Sequence, residues 1–153
     1  MGTTEDRSRI TIVPMEARHV ERLAEIETEC FSMPWSFESL AEELDNPLAV
    51  FLVAEYDGEI SGYIGMTQVI DEGYIANLAV TEAMRRRGVA TALLEHLVEH
   101  AKENELSFIT LEVRESNAAA RRLYESFNFE PAGVRKDFYV DPAEDAVIMT
   151  RNF

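Results

Sequence analysis

Residues 84–94, Met-Arg-Arg-Arg-Gly-Val-Ala-Thr-Ala-Leu-Leu, concentrate more potential chemistry than any other stretch of the chain. Arg85, Arg86 and Arg87 run into Gly88 between an apolar run (75–80) and a helical apolar pattern. A turn joining a strand to a helix start leaves several backbone N–H groups unpaired and pointing one way, and the helix dipole adds partial positive charge there. Such a place suits a phosphate. Gly88 lets a ligand approach the backbone without a Cβ in the way, and three adjacent guanidiniums on an acidic chain call for an anionic partner. A solvated basic loop has the same residues, so the turn alone leaves both readings open.

A second group lies downstream. In 108–114, period-two alternation puts Ile109, Leu111 and Val113 on one face and Phe108, Thr110, Glu112 and Arg114 on the other. A carboxylate in a strand between two helices is costly to bury unless paired or solvated. Glu112 therefore sits either at a strand end in water or in a wet cleft, where it is a candidate general base. In the next helix, Leu123 and Phe127 read as core anchors. Tyr124 is either a packed aromatic with its hydroxyl at the surface or a phenol that reaches the same cleft and donates a proton. His96-Leu97-Val98-Glu99-His100 spells the inverted zinc-protease pattern. Both histidines lie off the apolar line of Leu93, Leu94, Leu97 and Ala101, and no third ligand stands at an expected spacing, so no metal is expected. Phe31, Met33, Pro34 and Trp35 cluster in a short connection. They either cover the core or form an apolar lip for a substrate, with Phe138 and Tyr139, in the connection before the last strand, as its other side.

The elements that must hold these residues can be read along the chain. A strand is expected at 9–13 and a helix at 16–30, with Val20, Leu23, Ala24, Ile26 and Cys30 at helical spacing. A short helix follows from Ser36 to about Leu44. A hairpin joins 49–55 to 60–69, and 74–80 is a fourth strand. Residues 88–103 form the longest helix, 108–113 a strand, and Asn117 caps a helix to Phe127. Strands at 129–135 and 146–150 close the sheet. Strands alternating with helices after a hairpin-rich start predict an α/β chain with a mixed sheet of six or seven strands and about four helices on its two faces.

With 153 residues the chain reads as one domain over 9–153 after a flexible tail at 1–8. No run approaches the ~20 apolar residues of a membrane span, and the polar start lacks a signal-peptide core. Cys30 is the only cysteine, so no internal disulfide forms, and it reads as a small buried hydrophobe. Both features predict a cytoplasmic protein. The net charge of −15 repels nucleic acid and anionic membranes, and neither is an expected partner. Lys102 and Lys136 are the only lysines, and such acidic, lysine-poor surfaces resemble those of proteins from high-salt cytoplasms.

Together these motifs resemble the GNAT superfamily of acyl-CoA N-acyltransferases over roughly 9–152. Arg85-Arg86-Arg87-Gly88-Val89-Ala90 is similar to that family's pyrophosphate motif, Gln/Arg-x-x-Gly-x-Gly/Ala. The blocks Asn77-Leu78-Ala79-Val80, Leu111 to Ala120, Leu123-Tyr124-Glu125-Ser126-Phe127 and Pro34-Trp35-Ser36 resemble the RimI type, the ribosomal-protein-alanine N-acetyltransferases. The resemblance implies acetyl-CoA as acyl donor and a protein or peptide N-terminus as acceptor. Glu112 then matches the general base and Tyr124 the acid that protonates the departing thiolate. Leu78, Ala79 and Val80 match the strand that pairs with the pantetheine arm. Arg85, Arg86, Arg87, Gly88, Val89, Ala90 and Thr91 match the pyrophosphate turn, and Asn117 a side-chain contact to the cofactor. Phe31, Met33, Pro34, Trp35 and Tyr139 are the expected acceptor contacts. Two features depart from the pattern: the loop 29–35 is longer, and the arginine triplet is heavier. The resemblance also admits a small-amine acceptor, or an acyl-CoA-binding module without catalysis. For catalysis, Glu112 must face the reactive carbon of a donor seated on the turn.

Overall fold

Period-two alternation sorts the buried side chains into two layers on either side of one sheet. The computed structural model describes residues 2–153. Its elements are α1 (Thr4–Arg9), β1 (Ile10–Pro14), α2 (Ala17–Cys30), α3 (Phe37–Glu42), β2 (Ala49–Tyr56), β3 (Glu59–Val69) and β4 (Glu72–Val80). After these come α4 (Val89–Glu103), β5 (Phe108–Arg114), α5 (Ala118–Ser126), β6 (Glu130–Val140) and β7 (Ala143–Asn152). Val53 and Tyr63 bury against α2 and α3, while their neighbours Ala54 and Ile64 bury against α4. Leu93, Leu94, Leu97 and Ala101 form the buried stripe of α4, as their spacing predicts. Among the described residues no helix is long and apolar enough to cross a membrane.

The sheet order is β1-β2-β3-β4-β5-β7-β6, with β4 and β5 its one parallel pair. That pair holds only from Glu72 to Tyr74, opposite Phe108 to Thr110. The cause is visible on the other side of β4. Its register with β3 slips between Gly65↔Asn77 and Met66↔Ile75, leaving Ala76 as an extra residue. A bulge bends its strand and increases its twist. Beyond it β4 no longer pairs with β5, and the ladder is interrupted in the middle of the sheet.

Three expectations are corrected. Residues 4–9 form a helix rather than a flexible tail, so there are five α-helices among the described residues. Thr3 and Asp6 make a reciprocal capping box, and Asp6 accepts from the Tyr56 hydroxyl at 2.6 Å. Met1 of the expected tail lies outside the described residues. The final hairpin is longer than expected and places Phe138 and Tyr139 inside β6, not in a connection. As an edge strand β6 is exposed along almost all of its length, so it lacks the inward apolar alternation that marks a strand. In α5 the buried residue is Tyr124, packed on Phe129 at 5.5 Å, while Leu123 and Phe127 are half-buried.

Leu97 is fully buried where α4 meets the sheet. Leu97→Ala should lower unfolding free energy by about 2–5 kcal/mol in a denaturant titration.

Candidate active site

The turn before α4 meets the requirements of an anion cradle. Gly88 caps the helix at φ +84°, a conformation that favours glycine, and no side chain caps the first turn. The first intrahelical bond runs from the Ala92 N–H to the Gly88 carbonyl. The N–H groups of Val89, Ala90 and Thr91 therefore have no partner among the described residues. The arginines do not act as one cluster. Arg87 lies 5.3 Å from the Tyr56 ring centroid, donates to its hydroxyl at 3.3 Å and stands 4.0 Å from Asp6. Arg85 turns to the Val80 carbonyl, at 3.4 Å, and to Cys30 Sγ. Arg86 is exposed and makes no hydrogen bond or ion pair among the described residues, which leaves it for a ligand. Gly2 packs against this turn: a Cβ on Gly88 would lie 3.1 Å from the Gly2 Cα.

From the cradle, the diverging edge of β4 runs back along the gap. Ala79 pairs with Tyr63 of β3. Its neighbours turn their backbone polar groups elsewhere. Leu78 N–H donates to Asn77 Oδ1 at 3.2 Å, and the Val80 carbonyl accepts from Cys30 and Arg85. Leu78 and Val80 thus carry the edge able to pair with an extended ligand.

Glu112 lies on the α2–α3 face, since Leu111 and Val113 join the core under α4. A continuous sheet would wall it off from a ligand on the α4 turn, and the expected facing of carboxylate and donor would fail. Beyond Tyr74 and Thr110, however, β4 and β5 do not pair, so the sheet ladder is interrupted there. Arg135 Nε holds the Glu112 carboxylate at 3.3 Å. Tyr124 rises from the other layer. Burial, then the neighbouring Tyr139, pushes its phenol above the usual range, so the proton stays on at neutral pH. No buried side-chain N or O among the described residues lacks a partner, and Tyr124 Oη has none, so this oxygen reaches solvent. Tyr139 connects the group. Burial raises its phenol, the Arg114 charge lowers it, and Glu112 and Glu144 raise it. Arg114 sits 4.3 Å over the Tyr139 ring and donates to the Pro142 carbonyl at 2.9 Å and to Glu144 at 3.2 Å.

The lip and the hairpin meet: Ser32 Oγ donates to the Asp141 carbonyl. Phe31 and Trp35 are half-buried against the α2–α3 core, whereas Met33 is 65% exposed beside the exposed Pro34. Pro34 and Trp35 also line a cleft of about 430 Å³ with Ser36, Ser39, Glu42 and Glu43. Asn117 spends its Oδ1 on the Ala120 N–H at 3.1 Å, leaving only its Nδ2 for a ligand. The His-x-x-Glu-His pair diverges, with His96 bonded to the Ala92 carbonyl and His100 to Gln68. No group of three metal-ligating side chains forms among the described residues.

Glu27 was not anticipated. It is fully buried in α2, with Oε1 accepting from the Trp35 N–H at 2.8 Å. Oε2 accepts from the Tyr63 hydroxyl and the Asn77 amide, both at 2.7 Å. Burial raises its carboxyl, against hydrogen bonds that favour the ionised form. The signal was available: positions 20, 23, 27 and 30 share one helical face, so a carboxylate interrupts an apolar stripe.

Residues 20–129 match the acetyltransferase (GNAT) family. The chain is 37% identical to a putative [ribosomal protein bS18]-alanine N-acetyltransferase of Bacillus subtilis, covering 94% of this chain and 95% of that one. It is 34% identical to the [ribosomal protein bS18]-alanine N-acetyltransferase of Escherichia coli (strain K12), over 91% of this chain and 95% of that protein. The crystal structure of the ribosomal-protein-S18-alanine N-acetyltransferase from Escherichia coli superposes with a TM-score of 0.87 at 32% identity. That match covers 94% of this chain and 93% of the other.

Gly88→Val should weaken acetyl-CoA binding in calorimetry, and unchanged affinity would remove the cradle from the site. Arg86→Ala should weaken it more than Arg87→Ala does, because Arg87 is already committed to Tyr56 and Asp6.

Proposed function

The chain belongs to the acetyltransferase (GNAT) family, and from that premise we propose how its own residues carry the reaction. It is an acetyl-CoA-dependent N-acetyltransferase that acetylates the N-terminal α-amino group of proteins, of the ribosomal-protein-alanine type. The observation that supports this reading most directly is the early end of β4–β5 pairing, with the uncapped, glycine-led start of α4 following β4 and with Glu112, Tyr139 and Tyr124 near one another.

The residues divide the work. Val89, Ala90 and Thr91 offer N–H groups, and Arg86 a guanidinium, to the diphosphate of the donor. The edge at Leu78 and Val80 takes the pantetheine arm as a further strand and holds the thioester in the gap. The acceptor enters from the other face, between the lip at Phe31, Met33, Pro34 and Trp35 and the hairpin at Tyr139. An α-amino group has a pKa of about 7.7–8.0 and is largely protonated at neutral pH. Glu112 removes its proton, directly or through one water, and the neutral nitrogen attacks the thioester carbon. The backbone donors of β4 stabilise the oxyanion that develops. A C–N bond forms as the C–S bond breaks, Tyr124 gives its proton to the departing sulfur, and the extra proton left on the nitrogen passes through water to the tyrosinate. Burial keeps that proton available throughout the neutral range. Transfer is direct, within a ternary complex of enzyme, donor and acceptor, and needs no covalent enzyme intermediate.

An alanine-initiated peptide should be acetylated in preference to free amino acids and polyamines, and the reverse preference would overturn the protein-acceptor reading. Glu112→Gln and Tyr124→Phe should each slow turnover by about 10²–10⁴-fold. If neither does so, the assigned roles are wrong.

A further inference from the structure

We infer that Glu27 is a positioning residue for the transfer reaction, its buried carboxylate tying the lip, the sheet centre and the diverging strand into one frame. This inference rests on the N-acetyltransferase reading above.

An interior carboxylate is costly to desolvate and persists only where donors surround it. Glu27 has three, and each belongs to a different part of the site. The Trp35 N–H is the backbone of the lip, Tyr63 lies in β3, and Asn77 lies in β4 just past the bulge. No ion pair involves Glu27 among the described residues, so these neutral donors are what balance it. Their arrangement has a direction. Asn77 uses its Nδ2 on Glu27 and its Oδ1 on the N–H of Leu78. The carboxylate thereby sets how the Leu78 amide, on the edge offered to the donor, is held. At the same time it fixes the lip relative to that edge. β4 has lost its pairing with β5 at this point, so the sheet ladder cannot supply the constraint. Tyr63 is already held in the core, stacked on Phe51 at 6.0 Å, and it anchors the frame rather than being positioned by it.

Glu27→Gln keeps the shape but turns an acceptor into a donor facing donors. The variant should fold, and its acetyl-CoA affinity should fall about tenfold, because the strand edge must then be ordered on binding. Its kcat on an alanine-initiated peptide should fall about 10²-fold, the scale of a small misplacement of reacting groups. Asn77→Ala should produce a similar loss, and the double variant should lose no more than either single change. Tyr63→Phe should lower acetyl-CoA affinity and kcat less than Asn77→Ala does, because it removes one donor to Glu27 but leaves the Asn77 link to Leu78. A folded Glu27→Gln variant with wild-type acetyl-CoA affinity and wild-type kcat would overturn the inference, even if it melts earlier. Should Glu27→Gln fail to fold, Asn77→Ala decides: a melting loss with unchanged affinity and kcat would assign the cluster to stability alone. Wild-type turnover of the peptide tests the underlying activity separately, while the calorimetric affinities test the frame whether or not that acceptor is turned over.

Discussion

A sheet that stops pairing in its middle must satisfy two rows of backbone polar groups in some other way. Here the break follows from one extra residue, Ala76, which bends β4 away from β5 after only a few paired positions. Everything that makes the site possible depends on that divergence. It exposes the Leu78 and Val80 edge. Glu112 lies on the α2–α3 face and the turn before α4 on the other, so the proposed reaction needs that break in the pairing. A polar edge in a protein interior is tolerated only if something binds it, so the gap is both a structural liability and the place for an extended ligand.

Charge is distributed in keeping with this. Among so many acidic groups, the arginines are assigned individually rather than pooled. Arg87 secures the N-terminal helix through Tyr56 and Asp6. Arg114 and Arg135 brace the hairpin and Glu112. Arg86 remains for an anion. Backbone amides before α4 carry the rest of the attraction, which needs no side-chain charge and is fixed in direction by the helix. The lip and hairpin, joined by Ser32 and the Asp141 carbonyl, bound the opposite side of the gap. In the proposed reaction, donor and acceptor approach from opposite faces of the sheet.

Most elements were legible because their patterns are local. The apolar line of α4, the alternation in β5 and the Asn117 cap each announce themselves within a few residues. What was missed lacked such a pattern. β6 is an edge strand with no buried face, so its extension to Val140 left no alternation to read. The helix at Thr4–Arg9 carries no buried residue and is held by its own capping box and by partners far along the chain, Tyr56 and Glu95. Tyr124 and its flanking apolar residues exchange burial because the ring of Phe129, outside the helix, decides which side of α5 is covered.

The sequence by itself determined the alternation of strands and helices, the glycine turn before the long helix, and the presence of Glu112 and Tyr124 with the spacing that places them in consecutive elements. Short-range rules govern those features: period, capping and the freedom of glycine at positive φ. Only the tertiary structure decided that β4 stops pairing with β5, that Glu112 lies on the face of the sheet away from α4, and which arginine has no partner among the described residues. Only it brought Glu27 into contact with Trp35, Tyr63 and Asn77. Those outcomes depend on contacts between residues dozens of positions apart, whose distances are set by packing and not by spacing along the chain.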